Sequence, residues 1–291
     1  MILSILEQGL IYGILALGLL ITYRILDFPD LTVDSSFPLG AAVSAVLTLN
    51  GMPPVLTLFV AILAGTAAGL ITGLIHVKFR IRDLLSGIIT MTGLYSVNLN
   101  IAGKANVPLF SGDTLFRNPL TKSLPGWLAP YSTLCIILII VLLAKLCLDW
   151  FLSTKAGFLL RAAGDNPAVV TTLSQDQGKV KILGLMIANG LVALAGAVMA
   201  QQQRFFEISM GTGAMVIGLA SVIIGTNLFH RVSFMRSTTM ALIGSILYKA
   251  CVALALQVGL DASYMKLITA VLFLLILISS QVKRKKVRIR V

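Results

Sequence analysis

Charge is scarce in this sequence. Asp, Glu, Lys and Arg make up 12% of its 291 residues, where an ordinary soluble domain carries about 25%. A water-covered globule of this length is therefore excluded. Histidine is rarer still, at two residues. His76 and His230 lie far apart with no acidic or cysteine neighbour at ligand spacing, so each is expected to be an interfacial polar residue and no metal set is expected. The three cysteines, Cys135, Cys147 and Cys251, fall inside apolar runs and are read as small buried apolar residues. Motifs for chemistry are missing too. There is no G-x-x-x-x-G-K-[ST] loop, no H-E-x-x-H and no G-x-S-x-G, and no cluster of polar groups that resembles a catalytic centre. Neither catalysis nor a cofactor is expected. No basic stretch precedes the first apolar run, so a cleavable signal peptide is not expected either.

What fills the sequence is hydrocarbon. Hydrophobic residues make up 57% of the chain and the mean hydropathy is +0.96. Nine apolar runs follow one another, at about 4–23, 37–50, 55–76, 84–101, 131–152, 180–200, 211–229, 238–258 and 263–280. Most approach 20 residues, enough to cross about 30 Å of hydrocarbon, and they do not alternate as barrel strands would. The expected fold is all-α: one polytopic helical bundle over residues 1–291 with about nine membrane segments, or eight if 37–50 is re-entrant. Gly51-Met52-Pro53-Pro54 marks a turn after that short run. Gly65, Gly69 and Gly73 stand four apart on one helix face, which predicts close approach of another backbone.

The formal net charge of +12 does not point to nucleic acid, because six basic residues are concentrated in the tail 281–291, directly after an apolar run. With nine spans, sixteen Lys and Arg fall on the side of that tail, among them Arg24, Lys78, Arg80, Arg82, Lys155, Arg161, Lys179, Lys181, Arg231 and Arg236. Four fall on the other side: Lys104, Arg117, Lys122 and Arg204. The bias predicts a cytoplasmic C-terminus and an N-terminus outside. Within the spans the reading finds only Lys145, Lys249, Lys266 and a marginal Glu7 as ionisable residues, which argues against a carrier driven by an ion gradient.

One polar segment interrupts the hydrocarbon on the cytoplasmic side, at about 153–179. In RAAGDNPAVVTTLSQDQGKVK, Arg161–Lys181, Asn166 and Pro167 suit the N-cap and first position of a short helix. Val169, Val170 and Leu173 form an apolar stripe on it, and Gln177-Gly178 ends it. Its polar face carries Thr, Ser, Gln and Asp rather than the Lys and Arg of a membrane-surface helix. A groove on a partner protein is therefore the preferred seat, with packing beneath the bundle as the alternative. Asp30, Thr32, Asp34, Ser35 and Ser36 lie between two apolar runs, with Pro29 and Pro38 limiting helix formation. Two readings stay open for them: residues lining a translocation pathway, or a loop in which Ser35 or Ser36 caps the next helix. Asn98 is grouped with the first reading. Gln202, Arg204 and Glu207, outside, are read as solvated helix ends or as an outer contact surface.

Three blocks, in order, resemble the ribose and branched-chain amino acid permease family of ATP-driven (ABC) importers. Gly9–Ala41 is similar to its first block, with Asp30-Leu31-Thr32-Val33 in the place of D-L-S-V. In the second block Arg161, Ala162, Gly164, Asn166, Lys179 and Lys181 match R-A-x-G-x-N…K-x-K, although Ser174-Gln175 replaces the usual Gly-Ile. Gly211–Phe229 resembles the late block, with Thr226 where a second Gly is usual. The form DFPDLTVDSSFPLGA is similar to a subgroup linked to amino acid uptake, aromatic amino acids in particular. The resemblance implies a type II-like importer permease of the bacterial cell membrane, in which Arg161, Gly164, Asp165, Asn166, Pro167, Val169, Val170 and Leu173 form a coupling segment seated on a separate cytoplasmic ATPase. It also implies a second permease chain, more readily an identical copy than a homologue, and an extracytoplasmic substrate-binding protein, for which Gln202, Arg204 and Glu207 are candidate contacts.

Overall fold

The computed structural model describes residues 2–110, 112–118, 131–165, 176–229, 232 and 235–257, and, in the last apolar run, 267, 269–271, 273–275 and 278. In chain order α1 spans Ile2–Leu19 and continues as a π-helical turn over Leu20–Ile25. Then come α2 (Val33–Leu49), α3 (Pro54–Lys78), α4 (Asp83–Ala102), a short strand β1 (Asn106–Pro108), α5 (Ser132–Ser153), α6 (Lys155–Asp165) and α7 (Gln177–Gln203). After them follow β2 (Phe205–Glu207), a 3-10 turn at Ile208–Gly211, α8 (Ala214–Leu228) and α9 (Ser237–Gln257). Among the described residues seven helices are long and apolar enough to cross a bilayer, with Val33–Leu49 as a shorter companion. The chain is a polytopic helical membrane bundle. Most of the ninth apolar run lies outside the described residues.

α7 is the central post, with its most extensive contacts to α3 and α2. Lipid gives no hydrophobic drive between helices, so close van der Waals fit must hold them. The sequence supplies that fit with glycine. A Cβ at Gly65 would overlap the Asn189 carbonyl, one at Gly69 the Leu185 carbonyl, and one at Gly73 would lie 2.9 Å from the Ile182 side chain. The predicted small-residue face of α3 therefore meets the α7 backbone. α2 repeats the device: Gly40 lies on the Ala193 carbonyl, and Gly196 of α7 lies on the Phe37 carbonyl.

Two local expectations are corrected and one element is added. Pro38 does not limit α2 but sits inside it. Its missing N–H frees the Asp34 carbonyl, and Gly211 lies against that carbonyl and the proline ring. The stretch before Asn166, for which no element was expected, is α6, a helix that buries Gly157, Leu160 and Ala163 on one stripe. The three cysteines are exposed on the bundle's flank rather than buried within the chain; lipid there is as apolar as a core.

The packing account predicts opposite outcomes at two glycines. Gly69→Leu should destabilise the fold by about 1–3 kcal/mol through overpacking. Gly93→Leu, with nothing within 4 Å of its added Cβ, should stay within about 0.5 kcal/mol of the parent. Unfolding midpoints of the detergent-solubilised chain would check both.

Candidate functional site

Asp30 sits where α1 hands over to α2. The π-helical turn closes with the Leu26 N–H donating to the Ile21 carbonyl at 2.9 Å, and Asp27 then turns the chain at φ 51°. Asp30 is fully buried. Its Oδ1 accepts from the Thr32 N–H at 2.9 Å, and its Oδ2 accepts from Asn189 Nδ2 of α7 at 2.7 Å. Asn189 Oδ1 in turn accepts from Ser36 Oγ at 2.7 Å. The Thr32 hydroxyl meets that of Thr72 in α3 at 2.9 Å. Ser35 Oγ donates to the Met91 carbonyl of α4 at 2.8 Å, and Asn98 Nδ2 donates to the Ser35 carbonyl at 2.9 Å. Seven side chains thus join α2, α3, α4 and α7 in one polar lattice inside the membrane-spanning bundle. Asp30, Thr32, Ser36 and Asn98 have no solvent exposure, and Ser35 is 6% exposed. Ser35 and Ser36 do not cap α2, since both hydroxyls reach neighbouring helices instead.

Asp34 faces another way. Its two carboxylate oxygens accept from the Gly213 and Met215 N–H groups at 3.1 and 2.8 Å, so it caps α8 from a distant helix, where a negative charge also suits the helix dipole. At the far end of the bundle, buried Gln201 donates from Nε2 to Ser44 Oγ (2.9 Å) and Thr57 Oγ1 (2.8 Å), and its Oε1 accepts from the Leu115 N–H at 3.0 Å. Gln202 donates to Glu7 of α1 at 3.2 Å. Arg204, in the left-handed region at φ 61°, donates to the Phe110 carbonyl at 2.8 Å and covers the Phe110 ring. Glu207 is exposed and pairs with Asn106 in the two-stranded sheet. Arg204 and Glu207 therefore flank one small platform, while Gln202 is turned toward α1.

The opposite end gathers the basic residues. Arg161, Gly164 and Asp165 belong to α6. Arg161 is exposed over the Phe158 ring, Asp165 is exposed, and Gly164 is pressed against the Ile25 carbonyl. Asn166, Pro167, Val169, Val170 and Leu173 lie outside the described residues. His76 donates from Nδ1 to the Ile81 carbonyl at 2.8 Å and meets Phe28 edge-on, 5.1 Å between centroids. The spans hold more ionisable groups than the sequence reading found. Asp149, 7% exposed, accepts from Lys145 (2.9 Å), Arg236 (3.1 Å) and Thr238 (2.7 Å). Lys145 and Asp149 are one helical turn apart, a spacing that marks the pair in the sequence. The partner of Asp149 at Thr238, 89 residues away, could not be seen there.

α4 carries a feature that the sequence reading missed. It buries Ser86, Gly87, Thr90, Leu94 and Asn98. Directly opposite, Thr92, Gly93, Ser96 and Asn100 are exposed. Steps of four residues keep Thr92, Ser96 and Asn100 on one line. Beside that line Tyr95 and Leu99 are exposed as well, and Ile88 continues the line itself one turn earlier as an apolar residue. A polar line on the outward face of a membrane helix is costly against lipid and suits water or another protein. The signal was present in the i, i+4, i+8 spacing, but the buried face must be known before the outward one can be told from it.

The lattice makes a quantitative demand. Asn189→Ala leaves one Asp30 oxygen and the Ser36 hydroxyl without their partner, and should destabilise the chain by roughly 1–3 kcal/mol. Combined with Ser36→Ala, the loss should fall short of the sum of the two single losses, because the residues share one network. Additive losses in a double-mutant cycle on thermal midpoints would refute the coupling.

Residues 1–278 match the family model for the branched-chain amino acid transport system / permease component. A tyrosine transport system permease protein of Clostridioides difficile is 44% identical over 273 residues, 94% of this chain and 89% of that protein. A probable branched-chain amino acid transport permease protein LivH of Methanocaldococcus jannaschii is 31% identical, covering 73% of this chain and 70% of its own. The ribose import permease protein RbsC of Escherichia coli K12 is 26% identical, over 76% and 68%. Among solved structures, PsaBC from Streptococcus pneumoniae in complex with Fab shares the fold, with a TM-score of 0.51 at 14% identity over 94% of this chain and 88% of the other. With a matching model over nearly its whole length and a bundle to fit it, the chain belongs to the branched-chain amino acid transport permease family, the permease components of ABC-type transport systems.

Proposed function

We propose that this chain is one half of the translocation pathway of an ATP-driven importer for an amino acid, tyrosine or a related aromatic one. The observation that carries the pathway is the outward polar line of α4. Thr92, Ser96 and Asn100 find an aqueous setting if a second permease chain, in the simplest assembly an identical copy, faces them across a central channel. Asp30, Thr32, Ser35, Ser36 and Asn98 then brace the channel wall from behind, and Asp34 ties α8 to the same wall. The amino acid class rests on the similarity to the tyrosine permease, since no residue in the wall reads as an amino acid pocket.

The basic end faces the cytoplasm in this reading, with the N-terminus outside. Asn166–Leu173 seats on a separate ATPase, which supplies the hydrolysis. Its motion enters through α6, whose Gly164 touches Ile25 at the end of the π-helical turn, a few residues from Asp30. A push on α6 is thereby delivered to the α1–α2 hand-over that anchors the lattice. Arg204 and Glu207, with Gln202 behind them, lie at the outer end where a binding protein would deliver substrate.

Purification of the chain with candidate ATPases should yield a stable complex whose ATP turnover rises with loaded binding protein. Asn166→Ala with Leu173→Asp should reduce that stimulated turnover roughly ten-fold, the effect of about 1.4 kcal/mol at the contact, while the chain still elutes as a folded species. Uptake by the isolated chain in vesicles without any ATPase would contradict the proposal. Failure of tyrosine or tryptophan to bind the partner binding protein would remove the aromatic assignment alone.

A further inference from the structure

At the basic end, the π-helical turn, the end of α5, the outer face of α6 and the start of α9 enclose a cavity of about 640 Å³. Three guanidinium groups line it, from Arg24, Arg161 and Arg236, together with the carboxylates of Asp149 and Asp165. Asp149 is already saturated by Lys145, Arg236 and Thr238. With Lys145, four cations stand against two carboxylates, an excess of two. Arg24 is exposed, and the ion pairs among the described residues are those of Asp149 alone. Guanidinium groups match phosphate oxygens with paired, planar donors.

The surroundings are those of a bilayer surface. Trp150 and Phe158 stand 72% and 61% exposed at this end, where membrane proteins place interfacial aromatics. α6 turns Lys155, Phe158 and Arg161 outward and its small apolar stripe inward, the face of a helix lying along headgroups. Leu20, Leu152 and Phe158 add apolar wall to the cavity, which suits the glycerol and upper acyl region beneath a phosphate.

We propose that this cavity binds the phosphate of an anionic phospholipid headgroup, held by Arg24 and Arg161 and bordered by the Arg236–Asp149 pair. A lipid seated there touches α6, α5 and the π-helical turn together, so it would fix the angle of the helix that leads into the 166–175 segment. The site does not depend on the transport reading, and its test is made on the isolated chain.

A short-chain phosphatidylglycerol is titrated into the detergent-solubilised full chain, and bound lipid is read by native mass spectrometry beside phosphatidylcholine and inorganic phosphate. Phosphatidylglycerol should be retained in preference to phosphatidylcholine. Arg24→Gln and Arg161→Gln should each weaken it about five-fold, while the charge-keeping Arg24→Lys retains most of the binding and, by its elution and unfolding midpoint, controls for fold. Equal retention of phosphatidylcholine, or unchanged phosphatidylglycerol binding in both Gln variants, would overturn the site. Inorganic phosphate competing as well as the lipid would reassign it to a soluble anion and overturn the lipid.

Discussion

Backbone contact between α7 and the pair α2 and α3 is the constraint from which the other features follow. Inside a bilayer, helices cannot be driven together by hiding apolar surface, since lipid hides it equally well. Gly65, Gly69, Gly40 and Gly196 remove the side chains that would keep the backbones apart. Only at that distance can short polar side chains bridge: Ser36 reaches Asn189, Asn189 reaches Asp30, and Thr32 reaches Thr72. The lattice is thus a consequence of the glycines, and it also fixes their register, because a slide of one turn would leave Asp30 buried without its partner.

Bracing one side of α4 leaves the other side free for a different task. Ser86, Gly87, Thr90, Leu94 and Asn98 are committed to the block, and Gly87 lies 2.9 Å, at its missing Cβ, from the Leu31 N–H. The polar line of Thr92, Ser96 and Asn100 is consequently held outward by the same contacts that bury Asn98. Two polar residues only two positions apart, Asn98 and Asn100, thereby acquire opposite roles. Across the bundle, Gly164 against Ile25 couples α6 to the π-helical turn, so the basic end and the lattice share one mechanical connection.

The sequence made the membrane class, the apolar runs and the glycine face of α3 legible, because each depends on local composition or on spacing along one helix. Eight of the nine runs correspond to helices within a few residues of their expected ends. Side-chain direction was not legible in the 27–36 region. Asp30 and Asp34 look alike in sequence, yet one reaches a residue 159 positions away and the other caps a helix 181 positions away. Asn189 escaped notice because a single Asn within an apolar run has no local partner to mark it. Asp149 escaped for the opposite reason, since its position near the end of a run reads as an ordinary interface. α6 was hidden by its brevity and by the more conspicuous Asn-Pro that follows it.

The central claim is that the outward line of α4 meets water inside the membrane while the neighbouring line meets lipid. Single cysteines placed on a background with Cys135, Cys147 and Cys251 replaced by alanine, and labelled in intact membranes with a small hydrophilic thiol reagent, test it most directly. Positions 92, 96 and 100 should react well above positions 95 and 99. Equal reaction along both lines, or reaction confined to the second, would contradict the account.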